Sequence, residues 1–235
     1  MKKHSIIPIG LSRGPRDLSQ YTYRMNFGVP TESAVYIWYI DGSEPKTIVD
    51  AGMLKMDPQW TPPEEAFAKV GLNPEDIKIV VLTHLHPDHT SLAYLFKKAK
   101  FIVQKREMDY ALNPHPLDAP LYIKKFWEGV NFDLIEGERQ IIPGVSVIST
   151  PGHTPGGQSV EIETEGGKAI ITGFCCHLRT FRQTEDMKKQ GWEVSAPLIH
   201  NDVRQCYDSV LKVKKRADII IANHDVAYMG KAKIP

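Results

Sequence analysis

The run Thr83-His84-Leu85-His86-Pro87-Asp88-His89 sets three histidines and one carboxylate within six consecutive positions, directly behind an apolar stretch. Imidazoles and carboxylates crowded on one short loop repel or desolvate one another unless a positive charge sits among them. A divalent metal meets that need, because neutral imidazole and ionised carboxylate are its natural ligands. Spacing divides the cluster. His84 and His86 are two apart and, on extended backbone, project to the same side. Pro87 turns the chain, so Asp88 and His89 face another direction, suited to a second ion at the roughly 3.5–4 Å separation of two-metal hydrolases. Further polar groups stand in three distant loops. His153 lies in Thr150-Pro151-Gly152-His153-Thr154-Pro155-Gly156-Gly157, whose prolines and glycines make a tight loop able to aim one side chain. His224 follows Ile219-Ile220-Ile221-Ala222, and Asp50 follows Thr47-Ile48-Val49. His4, His115 and His200 have no partner at ligand spacing.

The elements behind these loops read as strands. Ile77 to Leu82 is apolar, β-branched and of strand length, and Thr47–Val49 and Ile219–Ala222 are similar. Four strand ends thus deliver polar groups to what could be one edge. Val35–Ile40 and Thr47–Val49 read as a hairpin around Asp41-Gly42-Ser43. Ser159–Glu163 and Ala169–Thr172 pair about Glu165-Gly166-Gly167. Phe101–Gln104 is a short strand. Helices are expected over Pro63–Val70, over Thr90–Lys98 with Leu92, Leu95 and Phe96 on one face, over Tyr122–Trp127, and from Asn201-Asp202 onward. The aromatic segment from Glu107 to Phe132 could wall a pocket, with Tyr21 to Phe27 as the opposite lip.

The composition is that of an ordinary soluble enzyme. With 235 residues the chain fits one domain able to bury a core. A net charge of +1 argues against a nucleic-acid surface, and Lys212, Lys214, Lys215 and Arg216 fall where they complement a helix C-terminus. No apolar run reaches signal-peptide or membrane-spanning length, which argues against a membrane partner. Three cysteines, two of them adjacent, make no disulfide framework, so the cytoplasm is the expected compartment.

The order His-x-His-x-Asp-His, then a lone His, then a last His resembles the metallo-β-lactamase superfamily. Ile135-Glu136-Gly137, Ile142-Pro143-Gly144-Val145, Ser149 to Gly156, Gln158-Ser159 and Ile162-Glu163-Thr164-Glu165 are similar to its N-acyl homoserine lactonase branch. The resemblance covers roughly residues 33 to 228. It implies an α+β fold, a four-layer αβ/βα sandwich with the metal site at one edge of two β-sheets. Residues 1–235 would form a single domain, with 1–30 an N-terminal extension lining the pocket. It also implies Zn2+, one or two ions, with iron or manganese compatible with the same ligands. His84, His86 and His153 would hold one ion; Asp88, His89 and His224 the other. Asp50 would accept a ring N–H from a liganding histidine and fix its tautomer.

Two positions depart from the family. Where an Asp normally bridges both metals, this chain has Phe174, followed by Cys175, Cys176 and His177. Cys175 or Cys176 could reach the metals as a thiolate, the bridge could be hydroxide alone, or the second site could be empty. His177 falls where the lactonases carry a tyrosine that donates to the substrate carbonyl; it could donate likewise, protonate a leaving alkoxide, or serve as a ligand. The implied activity is hydrolysis of a lactone or carboxylic ester through a metal-bound hydroxide, with Asp88 orienting the nucleophile. The substrate would be a small molecule, and a homodimer is compatible. Hydrolysis of thioesters or phosphodiesters, and a non-catalytic or redox metal protein, are the alternatives. The redox branch is the weakest, because it carries Glu where this chain has His86.

Overall fold

The structure, a computed structural model, describes residues 2–55 and 57–235. Seven strands build the first sheet: β1 (Ser5–Asp17), β2 (Pro30–Asp41), β3 (Thr47–Val49), β4 (Gln59–Trp60), β5 (Ile79–Val81), β6 (Lys100–Gln104) and β7 (Phe132–Ile135), in the order β4-β1-β2-β3-β5-β6-β7. Five build the second: β8 (Arg139–Ile142), β9 (Val145–Ser149), β10 (Gln158–Thr164), β11 (Gly167–Ile171) and β12 (Ile219–Ile221), in the order β12-β11-β10-β9-β8. The helices are α1 (Pro63–Lys69), α2 (Pro87–Thr90), α3 (Lys105–Leu112), α4 (Glu185–Lys189) and α5 (Val203–Arg216).

The two-residue period of a strand sorts its side chains into layers. From β2, Ala34, Tyr36, Trp38 and Ile40 enter the space between the sheets and meet Val145, Val147, Val160 and Ile162. Ile37 and Tyr39 point the other way, into a cluster with Phe67 of α1 and Met108 of α3. Behind the second sheet, Val210 and Val213 of α5 pack on Ile148 and Ile170. Helices outside two facing sheets make the four-layer αβ/βα sandwich. No helix among the described residues is long and apolar enough to cross a membrane.

Strands β3, β5, β6 and β7 run parallel, as do β11 and β12. Their C-terminal ends emerge along one edge, where parallel sheets with helical crossovers gather their functional loops. Asp50, the His84–His89 loop, Glu107, the Gly173–His177 loop and His224 all follow such ends.

The hairpins at Asp41–Ser43 and at Gly166 form as expected, with Trp38 opposite Val49 and Ile162 opposite Ala169. Helix α5 starts after Asp202, whose carboxylate accepts from the Arg204 and Gln205 N–H groups. Two expected helices do not form as such. Thr90–Lys98 is not one helix: α2 ends at Thr90 and a 3-10 turn covers Ala93–Leu95. The Thr90 and Ser91 hydroxyls bond back to the carbonyls of His86 and Pro87, which competes with the regular ladder. Tyr122–Trp127 is also not a helix; 3-10 turns span Ala119–Leu121 and Lys124–Phe126. Tyr122 and Trp127 are both buried, and five positions of an α-helix would set them about 140° apart. The N-terminal segment, for which the sequence predicts no strand, begins with β1 (Ser5–Asp17), paired along its length with β2 and internal to the first sheet, and Arg16, Gln20 and Tyr21 of this segment line a cavity. Pro8, Gly10, Gly14 and Pro15 interrupt its pattern and hide it from period-2 reading.

Candidate metal centre

The turn after β5 is braced from below. Asp50 adopts left-handed backbone (φ 60°), a conformation Asp tolerates better than most residues. Its carboxylate accepts from the Thr83 N–H (2.8 Å), the Thr83 hydroxyl (2.9 Å) and His89 Nδ1 (2.7 Å), with the Asn223 amide at 3.3 Å. The committed Thr83 oxygen in turn accepts from His84 Nδ1 at 3.0 Å. Elsewhere, His153 Nδ1 donates to the Ile199 carbonyl (2.7 Å), and His224 Nδ1 to that of Ala34 (3.2 Å). Four rings are thus held by Nδ1, which leaves each Nε2 facing the centre.

The free faces converge. Ligand atoms of His84, His86 and His153 lie within 4.8 Å of one another, as do those of His84, Asp88 and His89. Asp88 Oδ2 stands 3.2 Å from His89 Nε2 and 3.6 Å from His224 Nε2. The five histidines and Asp88 expected to hold metal therefore share one site. His84 Nε2 and His89 Nε2 are buried without a hydrogen-bond partner, and an orphaned buried nitrogen is unfavourable unless a cation occupies the space. The electrostatics agree. Burial, reinforced by neighbouring imidazoles, lowers His84 and His86 well below their usual range; burial likewise lowers His224, and brings His153 to about 4. These rings are neutral at pH 7, the state a metal requires. Burial would raise the Asp88 carboxyl, but His89 and His224 hold it well below the carboxylate range. His89 runs opposite: against burial, Asp88 and Asp50 lift it to about 10. A site that pulls a proton onto His89 between two carboxylates is a site that favours positive charge, and the residues present fit a metal.

Glu107 is the residue that sequence reasoning missed. Fully buried at the start of α3, it accepts from the Leu85 N–H (3.1 Å), the Gly156 N–H (3.0 Å) and the Tyr122 hydroxyl (3.2 Å). It ties the His84–His89 loop to the His153 loop. The backbones approach so closely that a Cβ on Gly156 would lie 2.1 Å from Glu107 N. Gly152, at φ 123°, likewise lets the loop rest on α5, where a Cβ would meet Cys206 N at 2.2 Å.

The loop after β11 separates the remaining candidates. Phe174 turns into the apolar cluster under α5. Cys176 follows it there, fully buried, its sulfur 3.0 Å from the Thr172 hydroxyl. Cys176 is thus a core residue, which corrects its candidacy as a ligand. Cys175 faces the other way, lining a cavity of about 240 Å³ with Asp88, His224, Tyr21, Arg16 and Ser33. His177 is not on that wall. Its Nδ1 donates to Asp225 Oδ2 (2.9 Å), and its ring borders a separate surface hollow with Thr31 and Arg179. Paired with the buried Asp225 carboxylate, it does not line the cavity beside Asp88 and His224, where the expected carbonyl-directed role would require it. Tyr21 holds the position facing the site instead.

Residues 30–224 match the metallo-beta-lactamase superfamily. An N-acyl homoserine lactonase of Bacillus thuringiensis is 31% identical over 172 residues, 71% of this chain and 63% of that protein; the chain thus spans less than two thirds of the relative's length. The N-acyl homoserine lactonase AttM of Rhizobium radiobacter is 34% identical over 110 residues, 43% of this chain and 42% of its own. Among solved structures, a quorum-quenching N-acyl homoserine lactone lactonase superposes with TM-score 0.77 at 26% identity, covering 96% of this chain and 94% of its own. Fold, ligand order and these matches agree: the chain belongs to the metallo-β-lactamase superfamily.

Proposed function

We propose that the chain is a metal-dependent hydrolase of lactones or related carboxylic esters, with zinc as its metal. The observation that carries this reading is the convergence of five imidazoles and Asp88 at one end of a cavity on the sheet edge. The relatives are, by name, N-acyl homoserine lactonases, and one similar structure has N-hexanoyl-L-homoserine bound at its catalytic metal centre. His84, His86 and His153 would hold one ion, and Asp88, His89 and His224 a second.

Bound there, a divalent ion supplies a Lewis acid for a carbonyl oxygen and lowers the pKa of water to about 7. The chain's own groups then orient the reaction. The ionised Asp88 carboxylate accepts a hydrogen bond from the attacking water and fixes its approach. Tyr21 stays protonated, since burial and then the nearby Cys175 raise its phenol. Its hydroxyl is suited to donate to the carbonyl or leaving oxygen, the part the sequence assigned to His177. Cys175 is the group on the wall able to act where the family has a bridging Asp; a thiolate there would favour zinc over harder ions. Cys175, Cys176 and Cys206 all carry free thiols, which suits a reducing compartment such as the cytoplasm.

Elemental analysis beside a panel of lactones, thioesters and phosphodiesters tests the reading. About two zinc ions per chain are expected, with lactone turnover abolished by chelation and restored by zinc. Full occupancy with no turnover across the panel would identify a binding or sensor protein instead.

A further inference from the structure

One charged residue on the cavity wall has no part in metal binding. Arg16 closes β1 and lines the cavity with Tyr21, Ser33, Asp88, Cys175 and His224. Its placement is built. Ser12, Gly14 and Arg16 share one face of β1, and all three meet Asp57: the Ser12 hydroxyl donates to it at 2.6 Å and the Arg16 guanidinium at 2.8 Å. A Cβ on Gly14 would lie 2.5 Å from the same carboxylate, so glycine leaves the room that Asp57 occupies. Asp57 is itself buried, and it fixes the guanidinium from one side. A second guanidinium nitrogen donates to the Pro15 carbonyl. Five N–H donors are more than these two partners use, and the side chain remains about a third exposed (30%). The charge reaches the reacting region: it pulls against the burial-driven rise of both the Tyr21 phenol and the Cys175 thiol.

The segment that brings Gln20 and Tyr21 to the cavity wall is tied down as well. The Leu198 N–H donates to the Gln20 carbonyl (3.0 Å), the Tyr23 N–H to that of Ala196 (2.7 Å), and the Thr180 hydroxyl to that of Tyr21 (2.8 Å). At about 240 Å³ the cavity is smaller than the roughly 300–1,000 Å³ usual for ligand pockets. It suits a ring or short ester with one compact substituent. An uncharged substrate would leave the spare donors of Arg16 partly desolvated and unmatched, whereas a carboxylate accepts from a guanidinium fork in two places.

We infer that the substrate is a small lactone or ester bearing a carboxylate, and that Arg16 binds that carboxylate and sets the preference for it. This rests on the hydrolytic reading above and names its substrate class. Short-chain esters ending in a carboxylate, compared with their carboxamide counterparts, test it on the zinc-loaded protein. The carboxylate ester is expected to be favoured about tenfold or more in kcat/KM, mainly through KM. Arg16→Lys, which keeps the charge but loses the fork, should cut that ratio severalfold, Arg16→Gln should bring it near one, and an unchanged ratio in Arg16→Lys overturns the inference. Equal turnover of the two esters by the native protein, or an unchanged ratio in Arg16→Gln, overturns the inference while leaving the hydrolase intact. If no ester is hydrolysed, binding of glutarate against butyrate decides. Tighter glutarate binding that Arg16→Gln abolishes upholds the inference without the reaction, and equal affinities overturn it. Should Arg16→Gln fail to fold because Asp57 is left unpaired, the native and Arg16→Lys proteins still decide it through the same ester pairs.

Discussion

Two loops at the same sheet edge treat their polar residues in opposite ways. After β5, His84, His86, Asp88 and His89 all face one site, with His84 and His89 fixed from behind by Thr83 and Asp50. After β11, Phe174 and Cys176 enter the apolar layer, His177 turns to Asp225, and Cys175 alone lines the cavity beside Asp88 and His224. The first loop has an internal scaffold, in which Asp50 and Thr83 orient the rings and Glu107 holds the Leu85 N–H. The second loop is governed by its surroundings, a hydrophobic cluster on one side and a buried carboxylate on the other. Residue type alone therefore identifies ligands only where the backbone beneath them is held for that purpose.

The largest test of this contrast removes one polar side chain from each loop. The His84 ring lies within 4.8 Å of ligand atoms on both sides of the site, His86 and His153 on one and Asp88 and His89 on the other, so His84→Ala should strip the zinc and lower kcat/KM by about 10³-fold or more, as the several kcal/mol of Lewis-acid assistance are lost. Cys176→Ala should leave zinc content and KM unchanged, with only a small stability loss from the cavity under α5. Metal analysis and steady-state kinetics of both variants would erase the contrast if Cys176→Ala lost metal as His84→Ala does.

Next in size is the brace. Glu107→Ala leaves the Leu85 and Gly156 N–H groups and the Tyr122 hydroxyl without their acceptor in a buried place, and should lower unfolding stability by about 3 kcal/mol. Glu107→Gln should lie between, because the amide offers one acceptor oxygen where two carboxylate oxygens each serve a backbone donor. Urea unfolding of the metal-free proteins measures this; a loss under about 0.5 kcal/mol in Glu107→Ala would mean that the two loops hold themselves.

The contrast also marks where sequence was informative. The strand-end ligands were legible because an apolar run followed by several imidazoles has few other uses, and because His153 and His224 repeat that arrangement. The hairpins and α5 were legible from turn residues and an Asp cap. Strand β1 was not, since Pro8, Gly10, Gly14 and Pro15 break its alternation and its burial comes from pairing with β2. Glu107 sits in a charged stretch, Lys105-Arg106-Glu107, that reads as a solvated helix start. The choice between Cys175 and Cys176 depends on how the chain turns at Gly173, where a Cβ would lie 1.7 Å from the Gln158 carbonyl oxygen. That close approach is a property of the folded sheet, with no local signature.

Cys175 sharpens the comparison further, since it is the one residue of the second loop that shares a cavity wall with Asp88 and His224. Cys175→Ala should weaken the more loosely held zinc ion by about tenfold, whereas Cys175→Asp should retain it and reduce sensitivity to thiol-modifying reagents. Zinc titration against a chelating dye reads the difference, and identical titrations for the native protein and Cys175→Ala would remove the thiol from the site.

The smallest expected effect belongs to His177. Its partner Asp225 keeps two further donors, the Leu178 and Ala227 N–H groups, both at 2.9 Å, so losing the imidazole does not orphan the carboxylate. His177→Ala should therefore cost about 1 kcal/mol of stability and change kcat by less than about threefold, well under the 10²-fold or more that a general acid contributes. Tyr21→Phe, made beside it, should lower kcat by more than His177→Ala while leaving zinc content intact. If the order is reversed, with His177→Ala the more damaging to kcat at full zinc occupancy, then the loop after β11 serves the reaction through its histidine, and the division between the two loops fails at that residue.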